Sequence, residues 1–208
     1  MPMPKPIEKT RLILGEGIEE ERFLPVLLEA KGLQPDTFEF RNFGGKDNLG
    51  NYLEGLRRTP GFERVESLLL TLDADEDPQG AFQKAKNLLK QQGLPAPNVP
   101  GSFTHGRPKT AIWVFPDNSS QGNLETLCKR ALKHHPVAGC VDKYLNCAKV
   151  KDPGETDTGS KAWVYAFLAS RRRNGHGPGR RLGELSSPDL SSWDLSPFEL
   201  LIALVRQM

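Results

Sequence analysis

"LLLTLDADED", residues 68–77, is a run of leucines broken once by Thr71 that ends abruptly in Asp73, Asp75, Glu76 and Asp77. The apolar stretch from Val65 to Leu72 is short for a helix. It is continuous rather than alternating, the pattern of a central parallel strand covered on both faces. Such a strand needs helices above and below it, and the sequence on either side supplies them.

Downstream, Asp77-Pro78 is a helix start and Gly93 a stop, around an apolar face of Ala81, Phe82, Ala85, Leu88 and Leu89. Upstream, "TRLILG" (10–15) is β-compatible. Residues 19–30 then place Phe23, Leu24, Leu27 and Leu28 on one helical face. Pro25 interrupts that face, so the helix is expected to start near Arg22 or to kink there. A second strand-helix unit follows: Phe38 and Phe40 alternate in "TFEFRNF", and after Gly44-Gly45 come Leu49, Tyr52, Leu53 and Leu56 in helical register. Beyond a Pro/Gly-rich connection, "TAIWVF" (110–115) reads as a fourth strand ending at Pro116-Asp117-Asn118. Further helices are expected over 124–133, 141–150 and 161–172, and a last one opening with the capping box Ser196-Pro197-Phe198-Glu199. The alternation predicts an α/β fold, a mainly parallel sheet of about four strands with helices on both faces plus C-terminal helices.

The 208 residues suit a single domain, with a core over about 10–135 and a helical elaboration over about 136–208 that contains an Arg/Gly-rich loop, 171–181. No apolar run approaches the ~20 residues that span a bilayer. The start, "MPMPKPIEKTR", has no apolar stretch of signal-peptide type, so the cytoplasm is the expected location. Cysteine is odd in number, at 128, 140 and 147, and the set Cys128, His134, His135 and Cys140 matches no familiar zinc spacing. Gly44-Gly45-Lys46 lacks the rest of a phosphate-binding loop, which argues against binding of a nucleoside triphosphate. Net charge is only +2, yet Arg171, Arg172, Arg173, Arg180 and Arg181 cluster late. They have two readings: complementing a helix dipole at the surface, or gripping a nucleic-acid backbone.

In an open parallel sheet, ligands bind beyond the carboxyl ends of the strands. The first strand is followed there by Glu16 and, one helical turn on, by Glu20; the third ends in Asp73 and Asp75; the fourth leads to Asp117. Alternation places Asp73 and Asp75 on the same side of an extended segment. Gathering these acids in one crevice costs free energy through repulsion, which a divalent cation removes. Oxygen-only donors favour magnesium or manganese. The plainer readings are a solvated acidic loop, an exposed Glu20 beside Glu19 and Glu21, and an Asp117 that serves a turn after proline.

"LILGEGIEEERFL" followed by "LLLTLDADED" resembles the TOPRIM domain, the magnesium-dependent module of primases, topoisomerases and related nucleases. The resemblance implies that Glu16 is the family glutamate and Asp73 and Asp75 its paired aspartates. The likeness is closer to uncharacterised TOPRIM-like proteins, through "FGGKDNL" (43–49), "PDNSSQGNLETL" (116–127) and "SKAWVYAFLAS" (160–170). It is more distant to OLD-type nucleases, whose second acid, four residues on, is matched by Glu20. It implies further that Glu125 joins the metal ligands and that Lys161 faces the scissile phosphate, where the plainer reading of each is a surface charge. Gly15 departs from the valine often found before the family glutamate. The activity implied is that of a magnesium-dependent nuclease or other phosphodiester-processing enzyme acting on DNA or RNA, with Glu16 alternatively a general acid or base. A catalytically silent nucleic-acid or protein-binding module is the alternative. OLD-type nucleases carry an ATPase domain that this sequence lacks, so a protein partner such as an ATPase is also expected.

Overall fold

The computed structural model describes residues 5–171 and 181–208. Four strands, β1 (Arg11–Gly15), β2 (Glu39–Asn42), β3 (Ser67–Asp73) and β4 (Lys109–Phe115), form one sheet in the order β2-β1-β3-β4, every neighbouring pair parallel. The leucine-rich stretch before Asp73 is β3, with β1 on one side and β4 on the other, and it is buried through Leu72. Parallel strands need crossovers. These are α1 (Ile18–Ala30), α2 (Leu49–Arg57) and α3 (Pro78–Gln91), followed after β4 by α4 (Leu124–Ala131), α5 (Ala138–Lys151), α6 (Ser160–Ala169) and α7 (Glu199–Val205).

Side-chain parity divides the core into two layers. Leu12, Leu14, Leu68, Leu70, Leu72, Ile112 and Val114 pack with Leu53 of α2 and Phe82 and Leu89 of α3. Ile13, Leu69, Ala111, Trp113 and Phe115 face the opposite way, onto α1, α4, α6 and α7. The same parity sends Asp73, two and four residues beyond Thr71 and Leu69, toward α1 and α4.

Two local expectations are corrected. The helix α1 does not start near Arg22: it begins at Ile18 and is helical through Ala30 with Pro25 inside. Proline in a helix interior costs about 3 kcal/mol, whereas burying a large apolar side chain is worth ~1.5–3 kcal/mol; α1 buries Phe23, Leu24, Leu27 and Leu28, so packing wins. The Ser196 capping box does not form. Residues Ser196–Phe198 make a short 3-10 turn, α7 has no side-chain cap, and the Ser196 N–H donates instead to Asp194 Oδ1 at 3.0 Å. Among the described residues, no helix is long and apolar enough to cross a membrane.

Candidate functional site

At the carboxyl rim of the sheet, Glu16 follows β1 and Asp73 closes β3. The two touch: the Asp73 backbone N–H donates to Glu16 Oε2 at 3.2 Å. Asp73 Oδ1 in turn accepts the Leu124 N–H at 3.0 Å, so the aspartate is held at the first turn of α4, where free backbone donors suit a carboxylate. Glu20 sits at the third position of α1, and its Oε2 accepts the Gly17 N–H at 2.8 Å.

Gly15 makes that arrangement possible. A Cβ there would lie 2.6 Å from the Cβ of Glu20, so β1 and the start of α1 approach too closely for any larger residue. Glycine at this position therefore has a steric meaning: it lets Glu20 come in over the strand end.

Glu16, Glu19, Glu20, Asp73, Glu125 and Lys161 line one cavity of about 240 Å³. Glu20 and Glu125 are nearly sealed, 6% and 5% exposed. The cation facing them is weakly coupled: Lys161 Nζ is 3.9 Å from Glu125 Oε1, with its side chain 62% exposed, and pairs so open to solvent contribute little. Burial first, then the charges of Glu20, Glu16 and Glu125, push the Asp73 carboxyl up to about 8. Burial likewise raises Glu16, Glu20 and Glu125. For Glu16 it is opposed by the Asp73 N–H and the Lys46 charge. The cavity concentrates more negative charge than its surroundings neutralise.

Two acids expected at this rim do not line the cavity, although the charge of Asp75 reaches Glu16 and helps to raise it. The alternation that was to align Asp75 with Asp73 ends at Asp73, because Asp75 takes a left-handed φ of +48°. Its backbone exchanges N–H···O bonds with Gly122, both 2.8 Å, and its carboxylate pairs with Lys46. Asp117 serves its own turn: Oδ1 accepts from the Ser119 and Ser120 N–H groups at 3.1 and 2.7 Å, and Oδ2 accepts from Arg130 at 2.6 Å. Burial works to raise the Asp117 pKa, but these partners outweigh it and hold the carboxyl low.

Of the late arginines, Arg171 lies over the Phe167 ring, 4.8 Å from its centroid, and the Arg181 backbone N–H donates to Glu184 at 3.1 Å. Arg172, Arg173 and Arg180 lie outside the described residues. Cys128 is buried while Cys140 is exposed.

Sequence reasoning missed Glu19 and Lys46. Glu19 lines the cavity and accepts the Gly183 N–H at 2.9 Å, a contact across 164 residues that no local pattern announces. Lys46 is carried to the rim by a turn with positive φ at Gly44 and Gly45, tied to β1 by Gly45 N–H donating to Glu16 O at 3.0 Å. Those paired glycines were its visible signal.

Among the described residues, no three His, Cys, Asp or Glu side chains are grouped so as to hold a metal ion. The donor chemistry nevertheless fits magnesium, which commonly uses one or two carboxylates, keeps several waters and takes its other ligands from substrate phosphates. Glu16 and Asp73, joined through the Asp73 backbone N–H and both raised first by burial, Asp73 also by the Glu16 charge, would be that pair.

The sequence profile of one family, described as "Protein of unknown function (DUF3226)", matches residues 10–198. No curated protein matches the sequence. Two solved structures, both of the C-terminal region of the OLD protein from Xanthomonas campestris pv. campestris, are similar. One, phased with mercury, has a TM-score of 0.49 and 14% identity; the other, phased with iodine, has 0.47 and 15%. Each alignment covers 96% of this chain and 95% of the other.

Proposed function

This chain belongs to the DUF3226 family, and from that premise we propose that it is a magnesium-dependent nuclease or related phosphodiester-processing enzyme acting on nucleic acid, with the acidic cavity as its active site. One observation carries the reading: Glu16, Glu20, Asp73 and Glu125 converge from β1, α1, β3 and α4 on a single cavity that Lys161 also enters. Such a cluster is unfavourable in isolation, and a cation that brings a phosphate with it gives it a use. Magnesium would supply Lewis-acid polarisation of the phosphoryl oxygens and a more acidic bound water.

The chain's own residues would divide the remaining work. Glu16 and Asp73 hold the ion. Glu20 and Glu125 add negative charge that favours it. Lys161, on the open side, meets the phosphate and offsets the charge that develops on it. In the alternative in which Glu16 does not ligate the ion, burial raises its proton affinity and suits it to take a proton from the attacking water.

A second reading is a binding module without turnover. It is favoured by the absence, among the described residues, of a three-carboxylate group arranged to hold a metal. Incubating labelled single- and double-stranded DNA and RNA with the full chain in magnesium or manganese decides between them. Metal-dependent cutting that Asp73→Asn lowers by two orders of magnitude or more supports the enzyme. Binding without cutting in either metal supports the module.

A further inference from the structure

A second cavity, of about 320 Å³, opens against the same pair of helices that border the acidic one. Where Glu125 of α4 and Lys161 of α6 line the first, Thr126, Lys129, Arg130 and Lys133 line the second, with Asp142 and Trp163. The two helices meet at a hydroxyl pair, Thr126 Oγ1 donating to Ser160 Oγ at 3.1 Å. Of the acids around these three cations, Glu125, one turn before Lys129 on α4, lines the acidic cavity, and two others are occupied. Asp142 accepts the Trp163 indole N–H at 2.7 Å, and Asp117 holds Arg130. Lys129 sits over the Trp163 ring, 5.4 Å from its centroid, and neither Lys129 nor Lys133 makes an ion pair among the described residues. The dipole of α4 accounts for cations in its last turn, Lys129 and Arg130. It does not account for Lys133, which lies past the helix end, or for a cavity that all three share.

We propose that this basic cavity is a phosphate-contact site that anchors a nucleic-acid strand beside the acidic cavity. The inference rests on the nucleic-acid reading above and names how such a substrate is held. A phosphodiester brought next to four carboxylates is repelled by them. The compensating attraction has to come from close by, and Lys129 is four residues beyond Glu125, about 6 Å along the helix. The contacts would go to backbone phosphates, fixing the strand's position without reading its sequence.

The test is fluorescence anisotropy of labelled single-stranded DNA and RNA of mixed sequence on the full chain in EDTA, over a salt series, with wild type, Lys133→Gln and Lys129→Gln/Lys133→Gln. Lys133→Gln guards against a folding defect, since Lys129 covers Trp163 and Lys133 does not. The expected result is a loss of affinity of about tenfold in the double variant, and a salt slope lower by roughly 0.7 for each lysine removed. Melting temperature and magnesium-induced stabilisation should stay as in wild type. Unchanged affinity and slope in both variants would overturn the inference, as would a wild type that ignores both strands but binds a polyglutamate peptide. Lysine-dependent strand binding without any magnesium stabilisation would refute the metal reading alone.

Discussion

Asp73 shows how the site differs from ordinary surface acidity. Its carboxyl is pushed to about 8 from an ordinary 3.8, so the folded protein holds that proton more tightly than the unfolded chain does. The associated stability is full below the ordinary carboxylate range and is lost as pH rises through about 8. In EDTA, the melting temperature should therefore fall between about pH 5 and pH 8.5. Asp73→Asn keeps an oxygen for the Leu124 N–H and should flatten the profile; an unflattened profile would place the pH dependence elsewhere. Gly15→Val tests the close approach of β1 and α1. A Cβ 2.6 Å from that of Glu20 should cost about 1–3 kcal/mol in denaturant unfolding, and a neutral result would mean the helix start shifts freely. Glu16, Glu20 and Asp73 were legible in the sequence because strand ends and the first helical turn fix their placement. The turning of the Asp75 and Asp117 side chains to Lys46 and Arg130 instead of into the cavity was not, because these partners are distant in the chain.

Among the elements, two helix starts separate fold from site. Asp77 caps α3, accepting the Gly80 N–H at 2.8 Å, and Asn123 caps α4, accepting the Thr126 N–H at 2.9 Å. Replacing either with alanine should lower stability by about 1 kcal/mol. Only Asn123→Ala should also weaken the response to magnesium, because the start of α4 holds Asp73 through Leu124 and carries Glu125. Equal responses in the two variants would detach α4 from the site. On the same helix Cys128 faces the core, and burial pushes its thiol well up. A thiol reagent should thus modify Cys140 and Cys147 quickly and reach Cys128 only on unfolding. The strand-helix alternation was readable because apolar periodicity is local. The short C-terminal 3-10 turns were not, since they form by docking: Gly183 lies so close to α1 that a Cβ on it would be 2.6 Å from that of Arg22.

Across the whole molecule, the sheet order β2-β1-β3-β4 puts β1 beside β3, and this adjacency turns acids 57 residues apart into neighbours. Composition averages such an arrangement away. A net charge of +2 conceals a carboxylate-lined cavity and a lysine-lined one set along the same two helices, and only the fold separates them. The central claim is that the acidic cavity is a cation site, and thermal unfolding of metal-free protein across a magnesium titration addresses it most directly. Wild type should gain stability with increasing metal, by about 2.7 kcal/mol at a hundredfold excess over the dissociation constant, while Asp73→Asn and Glu16→Gln, folded in EDTA, should gain little. A wild type that magnesium and manganese leave unchanged, or variants that respond as fully as wild type, would contradict it.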